Sequence, residues 1–204
     1  MATVAVTPQT PNPKPQTQGV GPRRAGVLLF IASESVVFLS VIAMYIAGQS
    51  HASHPTAQES LDAARMIPFS IALWASSGTI AVAGRRAEHG DQRGLRMWLV
   101  ATIVLGAIFL AGELVEWLSL FGDRVTAASN EWSSAFFTLT GIHGMHVIVG
   151  LLLMVGVIAF STRYPVARGK ESGFEIVSLY WHFVDAMWIL IYGVVYFWSA
   201  FLGG

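Results

Sequence analysis

Five long stretches of apolar residues divide the chain, and short polar segments separate them. A helix rises about 1.5 Å per residue and the hydrocarbon core of a bilayer is about 30 Å thick, so each stretch is long enough to form a membrane-spanning helix. The pattern therefore predicts an all-α membrane protein, a polytopic bundle of five transmembrane helices. The predicted spans are residues 26–48, 66–83, 97–120, 134–160 and 176–201.

The Lys and Arg residues lie mostly on one side of these predicted spans. Ten precede the first span, follow the second or follow the fourth, and only two lie on the other side. Cytoplasmic loops are enriched in Lys and Arg, so we expect the N-terminus in the cytoplasm and the C-terminus outside. The ten are Lys14, Arg23, Arg24, Arg85, Arg86, Arg93, Arg96, Arg163, Arg168 and Lys170, and the two are Arg65 and Arg124.

The segment before the first span has a different character. Residues 8–15 contain four prolines among Thr, Gln, Asn and Lys. No apolar region of the kind found in a cleavable signal peptide is present there. We therefore expect residues 1–25 to form a disordered cytoplasmic tail, and residues 26–204 to form the transmembrane domain.

The composition supports a membrane protein and excludes several chemistries. Hydrophobic types make up 54% of the 204 residues and charged types 12%, against roughly 25% charged in soluble domains. The formal net charge is zero, which disfavours nucleic acid as a partner. The chain has no cysteine, so disulfides, iron–sulfur clusters, thiolate zinc sites and a catalytic cysteine are excluded.

Four acidic residues fall inside the predicted spans, and each needs an explanation because ionisable groups in hydrocarbon are costly. Glu34, between two serines, is a candidate proton or lipid site, or alternatively a carboxyl that fixes packing. Glu113 and Glu116 are three residues apart and share a helix face, so they could share a proton or bind a cation. We favour the simpler interpretation, in which Glu116 reaches the outer water and Glu113 pairs with a donor on another helix. The fourth acidic residue is Asp185.

Three histidines also lie inside the predicted spans. His143 and His146 share a helix face, but two ligands on one helix cannot hold one haem iron from both sides, and a zinc or copper site needs more ligands. The glycines around them instead predict a tightly packed, hydrogen-bonded helix interface. In the last span, His182 and Asp185 share a face, and we expect them to form a buried polar cluster with Glu34. The residues alone thus predict a five-helix membrane protein without a visible catalytic centre.

Four segments carrying these polar residues resemble subunit III of the haem-copper respiratory oxidases. Residues 26–45 resemble the glutamate-bearing helix of that family, and residues 109–117 (Phe-Leu-Ala-Gly-Glu-Leu-Val-Glu-Trp) resemble its helix that ends in a glutamate and an aromatic residue. Residues 136–147 contain Gly-Ile-His-Gly-Met-His-Val, close to the family's Gly-x-His-Gly-x-His-Val. Residues 180–188 contain Trp-His-Phe-Val-Asp-Ala-Met-Trp, close to Trp-His-Phe-x-Asp-x-x-Trp.

The resemblance implies a non-catalytic subunit in the short, five-span bacterial form of a family whose long form has seven spans. Such a subunit would contact oxidase subunits I and II, with a small subunit IV and a respiratory supercomplex as further possibilities. It would carry phospholipid but no cofactor of its own, since haems and copper would lie in subunits I and II. It would stabilise subunit I and support proton uptake in a proton-pumping oxidase that reduces oxygen to water, in the bacterial plasma membrane.

The resemblance also assigns roles to individual residues. Glu34 would be the carboxyl that reacts with hydrophobic carbodiimides, and His143, His146, His182 and Asp185 would be structural. Glu113 departs from the family pattern, in which Gln is expected at this position. We expect cytochrome c rather than a quinol as the electron donor. Two alternatives stay open: an accessory subunit of a nitric oxide reductase, and a small membrane carrier or channel.

Overall fold

The computed structural model describes residues 21–49, 63–166 and 172–198, and the architecture in these ranges is entirely helical. All five main helices are long and apolar enough to cross a membrane, which confirms the predicted fold class. They are α1 Pro22–Gln49, α2 Ala63–Glu88, α3 Gln92–Gly122, α4 Glu131–Ser161 and α5 Gly173–Tyr192, and a π-helical turn, Gly193–Trp198, continues α5.

The helices extend beyond the predicted apolar spans at the ends that the structure describes. Side-chain caps explain part of this extension, because a capping oxygen satisfies a backbone N–H of the first turn. Asp91 accepts from the backbone N–H of Gly94 at 2.9 Å, at the start of α3, and Asn130 accepts from that of Ser133 at 2.7 Å, at the start of α4. Helix α1 begins at Pro22, so the end of the predicted tail is helical, while residues 1–20 and 199–204 lie outside the described ranges.

The five helices form a ring with a diagonal contact. Going round the ring, α1 contacts α4, α4 contacts α3, α3 contacts α2, α2 contacts α5, and α5 returns to α1. The additional contact between α4 and α5 crosses the ring. Helices α4 and α5 therefore each contact three other helices, and the His143, His146, His182 and Asp185 positions lie on these two helices.

Trp181 of α5 fixes the centre of the bundle. It is fully buried, and its indole N–H donates to Ser76 Oγ of α2 at 2.9 Å. A Cβ atom placed on Gly106 of α3 or Gly150 of α4 would lie within 3.0 Å of its ring. Small residues let the backbones of transmembrane helices approach closely, and here two glycines on different helices make room for one tryptophan.

Candidate functional site

A polar contact between two ionisable side chains joins Glu34 of α1 to His146 of α4. Glu34 Oε2 lies 3.2 Å from His146 Nε2, and the Glu34 side chain keeps 23% of its surface exposed. The other imidazole nitrogen, Nδ1, donates to the carbonyl oxygen of Ile142 at 2.8 Å. Because Nδ1 carries a proton, the contact with Glu34 requires a second proton, either on Nε2 or on the carboxyl group. The pair therefore holds one proton between a carboxylate and an imidazole.

Aromatic residues fix the position of His146. The Phe38 ring lies 5.1 Å from the imidazole, centre to centre, and Phe38 is buried. The hydroxyl of Tyr180, on α5, donates to the backbone carbonyl of His146 at 3.1 Å. Contacts from α1 and α5 thus hold the histidine in the orientation that meets Glu34.

An apolar cleft of about 420 Å³ adjoins this pair. Its walls come from α1, α4 and α5, so it opens between three helices, beside the imidazole. Volumes of this size suit small apolar ligands or part of a lipid chain. Its lining residues include Val27, Phe30, His146, Val149, Ile176 and Tyr180.

The sequence predicted a polar cluster of Glu34, His182 and Asp185, and the inclusion of Glu34 in it is wrong. Asp185 accepts a hydrogen bond from Ser77 of α2, and Ser77 Oγ also lies 3.2 Å from His182 Nδ1. This cluster therefore joins α5 to α2, whereas Glu34 joins α1 to α4. The sequence reasoning missed Ser77, although its polar side chain inside an apolar span was a signal that could have indicated it.

His143 does not make the hydrogen bonds that were predicted for its interface. It is fully buried, and neither ring nitrogen has a hydrogen-bond partner among the described residues. Its imidazole instead stacks on Trp188 at 4.9 Å and meets the ring of Phe109 edge-on at 5.6 Å. His143 thus packs as an aromatic side chain between α3, α4 and α5, and only His146 has the predicted polar contacts.

The favoured interpretation of the α3 carboxyls is also wrong. Glu116 does not reach the outer water: it is 2% exposed and lies 3.6 Å from Arg65 Nε of α2. Glu113 does not have the expected donor on another helix, because neither carboxyl oxygen has a hydrogen-bond partner within the described part of the chain. The reason is the packing of α2 along α3, which covers Glu116 and brings Arg65 close to that carboxyl.

Across residues 21–49, 63–166 and 172–198, no three His, Asp or Glu side chains converge as a metal site would require. His143 and His146, the pair considered for haem or metal, have different surroundings, one aromatic and one paired with a carboxyl. The arrangement can hold a proton at Glu34 and His146 and can accommodate apolar chains beside them.

Comparison with known proteins agrees with the resemblance of the motifs. The family model described as cytochrome c oxidase subunit III matches residues 16–200. The chain is 34% identical over 174 residues to the probable cytochrome c oxidase subunit 3 of Mycobacterium leprae, covering 84% of this chain and 86% of the relative. It is also 34% identical over 184 residues to the cytochrome c oxidase subunit 3 of Thermostichus vulcanus, covering 88% and 89%.

A third relative, the cytochrome c oxidase subunit 3 of Corynebacterium diphtheriae, is 34% identical over 176 residues, covering 84% of this chain and 86% of its own. The predicted resemblance to subunit III of the haem-copper oxidases is confirmed, and neither the nitric oxide reductase alternative nor the carrier alternative is favoured. The matched range, residues 16–200, includes all five helices. The chain therefore belongs to the cytochrome c oxidase subunit III family.

Proposed function

We propose that this chain is the non-catalytic subunit III of a proton-pumping cytochrome c oxidase in a bacterial plasma membrane. Subunits I and II would carry the haems and copper ions, and this chain would lie against subunit I and stabilise it. Membership of a multi-subunit oxidase follows from the family. The named relatives support cytochrome c as the donor, since their names are those of cytochrome c oxidase subunits.

The observation that carries the finer proposal is the Glu34–His146 pair beside the apolar cleft. A carboxyl and an imidazole that share one proton are neutral as a pair, and the pair carries one negative charge after that proton has left, so it can serve as a proton acceptor. The Glu34 side chain keeps 23% of its surface exposed, so this chain does not completely enclose the carboxyl. The pair would thus support proton uptake by the oxidase, and the cleft would hold a phospholipid chain.

The exposed surface of α1 and α4 would serve as a contact surface of this chain in the assembly. Many large apolar side chains on α1 and α4 are exposed, including Leu29, Val36, Leu39, Leu152 and Val155. Such a surface suits lipid and the transmembrane helices of a neighbouring subunit. A small subunit IV and a respiratory supercomplex would add further partners of the same kind.

A mild-detergent purification of the tagged chain tests this proposal. We expect haem absorbance and a large copper-binding subunit to copurify with it, with a spectrum typical of a cytochrome c oxidase. Selective removal of the chain with a harsher detergent is expected to leave the haem spectrum unchanged and to shorten the time over which the oxidase stays active during turnover. A colourless, monodisperse chain without partners would contradict the proposal.

A further inference from the structure

His182 of α5 is an exposed imidazole inside a membrane-spanning helix. Its Nδ1 lies 3.2 Å from Ser77 Oγ of α2, and its Nε2 has no hydrogen-bond partner among the residues that the structure describes. Ionisable side chains in transmembrane helices usually face protein or a water-filled cavity, because hydrocarbon offers them no hydrogen bond. The exposed position of His182 therefore indicates that another chain covers this face of the bundle.

The hydrogen bonds of Ser77 determine which nitrogen of His182 carries the proton. Ser77 donates its single hydroxyl proton to Asp185 Oδ2, so its oxygen can only accept from the imidazole. Nδ1 of His182 is therefore the donor in this contact. In a neutral imidazole with its proton on Nδ1, the other nitrogen, Nε2, is an acceptor. The covering chain must then bring a hydrogen-bond donor.

The depth of His182 argues against a lipid headgroup as that donor. The span Gly173–Tyr196 has 24 residues and is about 36 Å long, so, centred on a 30 Å hydrocarbon core, it extends about 3 Å beyond each side. His182 lies nine residues after Gly173, which is about 14 Å along the axis. The imidazole is then about 11 Å inside the hydrocarbon. Lipid hydroxyl and ammonium groups stay at the headgroup level, whereas a transmembrane helix can place a side-chain donor at this depth.

Small exposed residues lie near His182 on both helices. Gly78 and Ala81 of α2 are exposed, and so is Ala186, one turn after His182 on the same face of α5. A Cβ atom on Gly78 would meet nothing within 4 Å, so packing inside this chain does not require glycine there. Ile189 continues the α5 face and is 55% exposed. Small residues of this kind let a second transmembrane helix approach closely.

We propose that the α2–α5 face, defined by Gly78, Ala81, His182, Ala186 and Ile189, binds a transmembrane helix of a neighbouring oxidase subunit. That helix donates a hydrogen bond to His182 Nε2 from a hydroxyl, amide or indole group. The inference rests on the proposed function, because it takes the neighbouring helix to belong to the oxidase. The close approach allowed by the small residues brings the donor within reach of the imidazole.

The polar residues exposed on α1 do not require such a partner. The hydroxyl of Ser33 donates to the carbonyl of Phe30 at 2.8 Å, and that of Ser40 donates to the carbonyl of Val36 at 2.7 Å. Both serines are thus satisfied within their own helix. His182 differs from them because its second nitrogen needs a group from another chain.

Site-specific photocrosslinking of the intact complex tests which face meets the neighbouring helix. Benzoylphenylalanine replaces either Ile189, on the α2–α5 face, or Val104, on α3, and these two side chains are 55% and 51% exposed. We expect a cross-link to another oxidase subunit from position 189 and none from position 104. No cross-link from position 189, or equal yields from both, would overturn this inference, while haem in the purified complex would still support the proposed function. A chain that purifies without haem-containing partners would contradict both.

Gly78→Leu tests whether the neighbouring helix approaches closely. Gly78 and Gly156 of α4 are both exposed, and a Cβ atom at either position meets nothing within 4 Å, so leucine leaves the packing of this chain intact. Gly78→Leu should raise the dissociation constant of the chain from the complex about tenfold, because the larger side chain overpacks the contact. Gly156→Leu is the matched control and should leave it unchanged. Equal dissociation constants for the two variants would contradict a close contact at Gly78.

Variants of His182 test the hydrogen bond itself. His182→Phe keeps a ring and removes the acceptor, so the same dissociation constant should rise about fivefold, the value of one hydrogen bond. His182→Gln provides an amide oxygen that can accept from the neighbouring helix, so it should restore most of the binding. An unchanged dissociation constant for His182→Phe would refute the hydrogen bond.

Discussion

At the scale of single residues, the partner of each intramembrane polar group determines what that group can do. Glu34 and Glu113 are both carboxyls in apolar spans, but Glu34 meets an imidazole and Glu113 meets no donor among the described residues. Glu116, one turn from Glu113, lies beside the guanidinium of Arg65. Three chemically identical side chains therefore have three different environments.

Glu34→Gln is expected to impair proton uptake without unfolding the chain. The amide has nearly the same size and can still hydrogen-bond to His146, but it cannot exchange a proton. Proton uptake by the complex should therefore fall several-fold and the enzyme should inactivate sooner during turnover, at unchanged haem content. Stopped-flow measurement with a pH dye detects this effect.

Ser33→Ala is the matched control for that experiment. Ser33 is exposed and its hydroxyl donates to the carbonyl of Phe30 in its own helix, so proton uptake should be normal. The second comparison is His146→Phe, which leaves the partly buried carboxyl without its described partner and should destabilise the chain by about 1–3 kcal/mol. Normal uptake by Glu34→Gln would mean that the carboxyl serves packing alone.

At the scale of helices, glycines determine how closely the elements approach. The Trp181 indole lies against α3 at Gly106 and against α4 at Gly150. The same helix α5 also donates hydrogen bonds to α2, from Trp181 to Ser76 and from Trp188 to Ser70 at 3.0 Å. Two tryptophans of α5 thus contact three neighbouring helices, α2, α3 and α4.

Gly150→Ala is expected to destabilise the bundle by about 1–3 kcal/mol, because the added methyl group would lie 2.7 Å from the Trp181 ring. Gly156→Ala is the matched control six residues further along α4, where a Cβ atom meets nothing within 4 Å. It should be neutral or stabilise by up to about 1 kcal/mol, since alanine favours the helix. Thermal unfolding of the tagged complex, detected by size-exclusion chromatography, compares the two variants. Equal unfolding midpoints for the two variants would contradict this account of the interface.

At the scale of the whole molecule, the connections fall into two sets at opposite ends of the bundle. The connection after α4 meets the start of α3, since the backbone N–H of Val166 donates to Gln92 Oε1 at 3.2 Å. Most of the Arg and Lys residues belong to this end, and the connection between α3 and α4 lies at the other. The predicted orientation therefore assigns the Arg-rich end to the cytoplasm.

Single cysteines can test this orientation, because the chain has none of its own. We expect Ala127→Cys, in the exposed connection after α3, to react with a membrane-impermeant maleimide added to intact spheroplasts. His89→Cys, in the exposed connection after α2, should react only after lysis. If His89→Cys reacted in intact spheroplasts and Ala127→Cys only after lysis, the Arg-rich end would lie outside the cytoplasm and the predicted orientation would be wrong.

The sequence alone determined the number of helices, their approximate limits and the family. Apolar length is a local property, so five spans could be counted without a structure, and the His-Gly-Met-His and His-Phe-Val-Asp motifs are specific enough to indicate the relatives. Spacing within a helix also showed correctly which residues share a face, such as His182 and Asp185, which both contact Ser77.

Only the tertiary structure decided which faces meet. Residues at similar depth on two spans can pair only if those helices are turned toward each other, and this depends on the packing of the whole ring. Glu34 therefore pairs with His146 of α4 and not with the α5 cluster, and Glu116 is buried by α2 and does not reach the outer water. These pairings depend on helix rotation and contact, which are set by side-chain packing across the bundle and not by the pattern of any one segment.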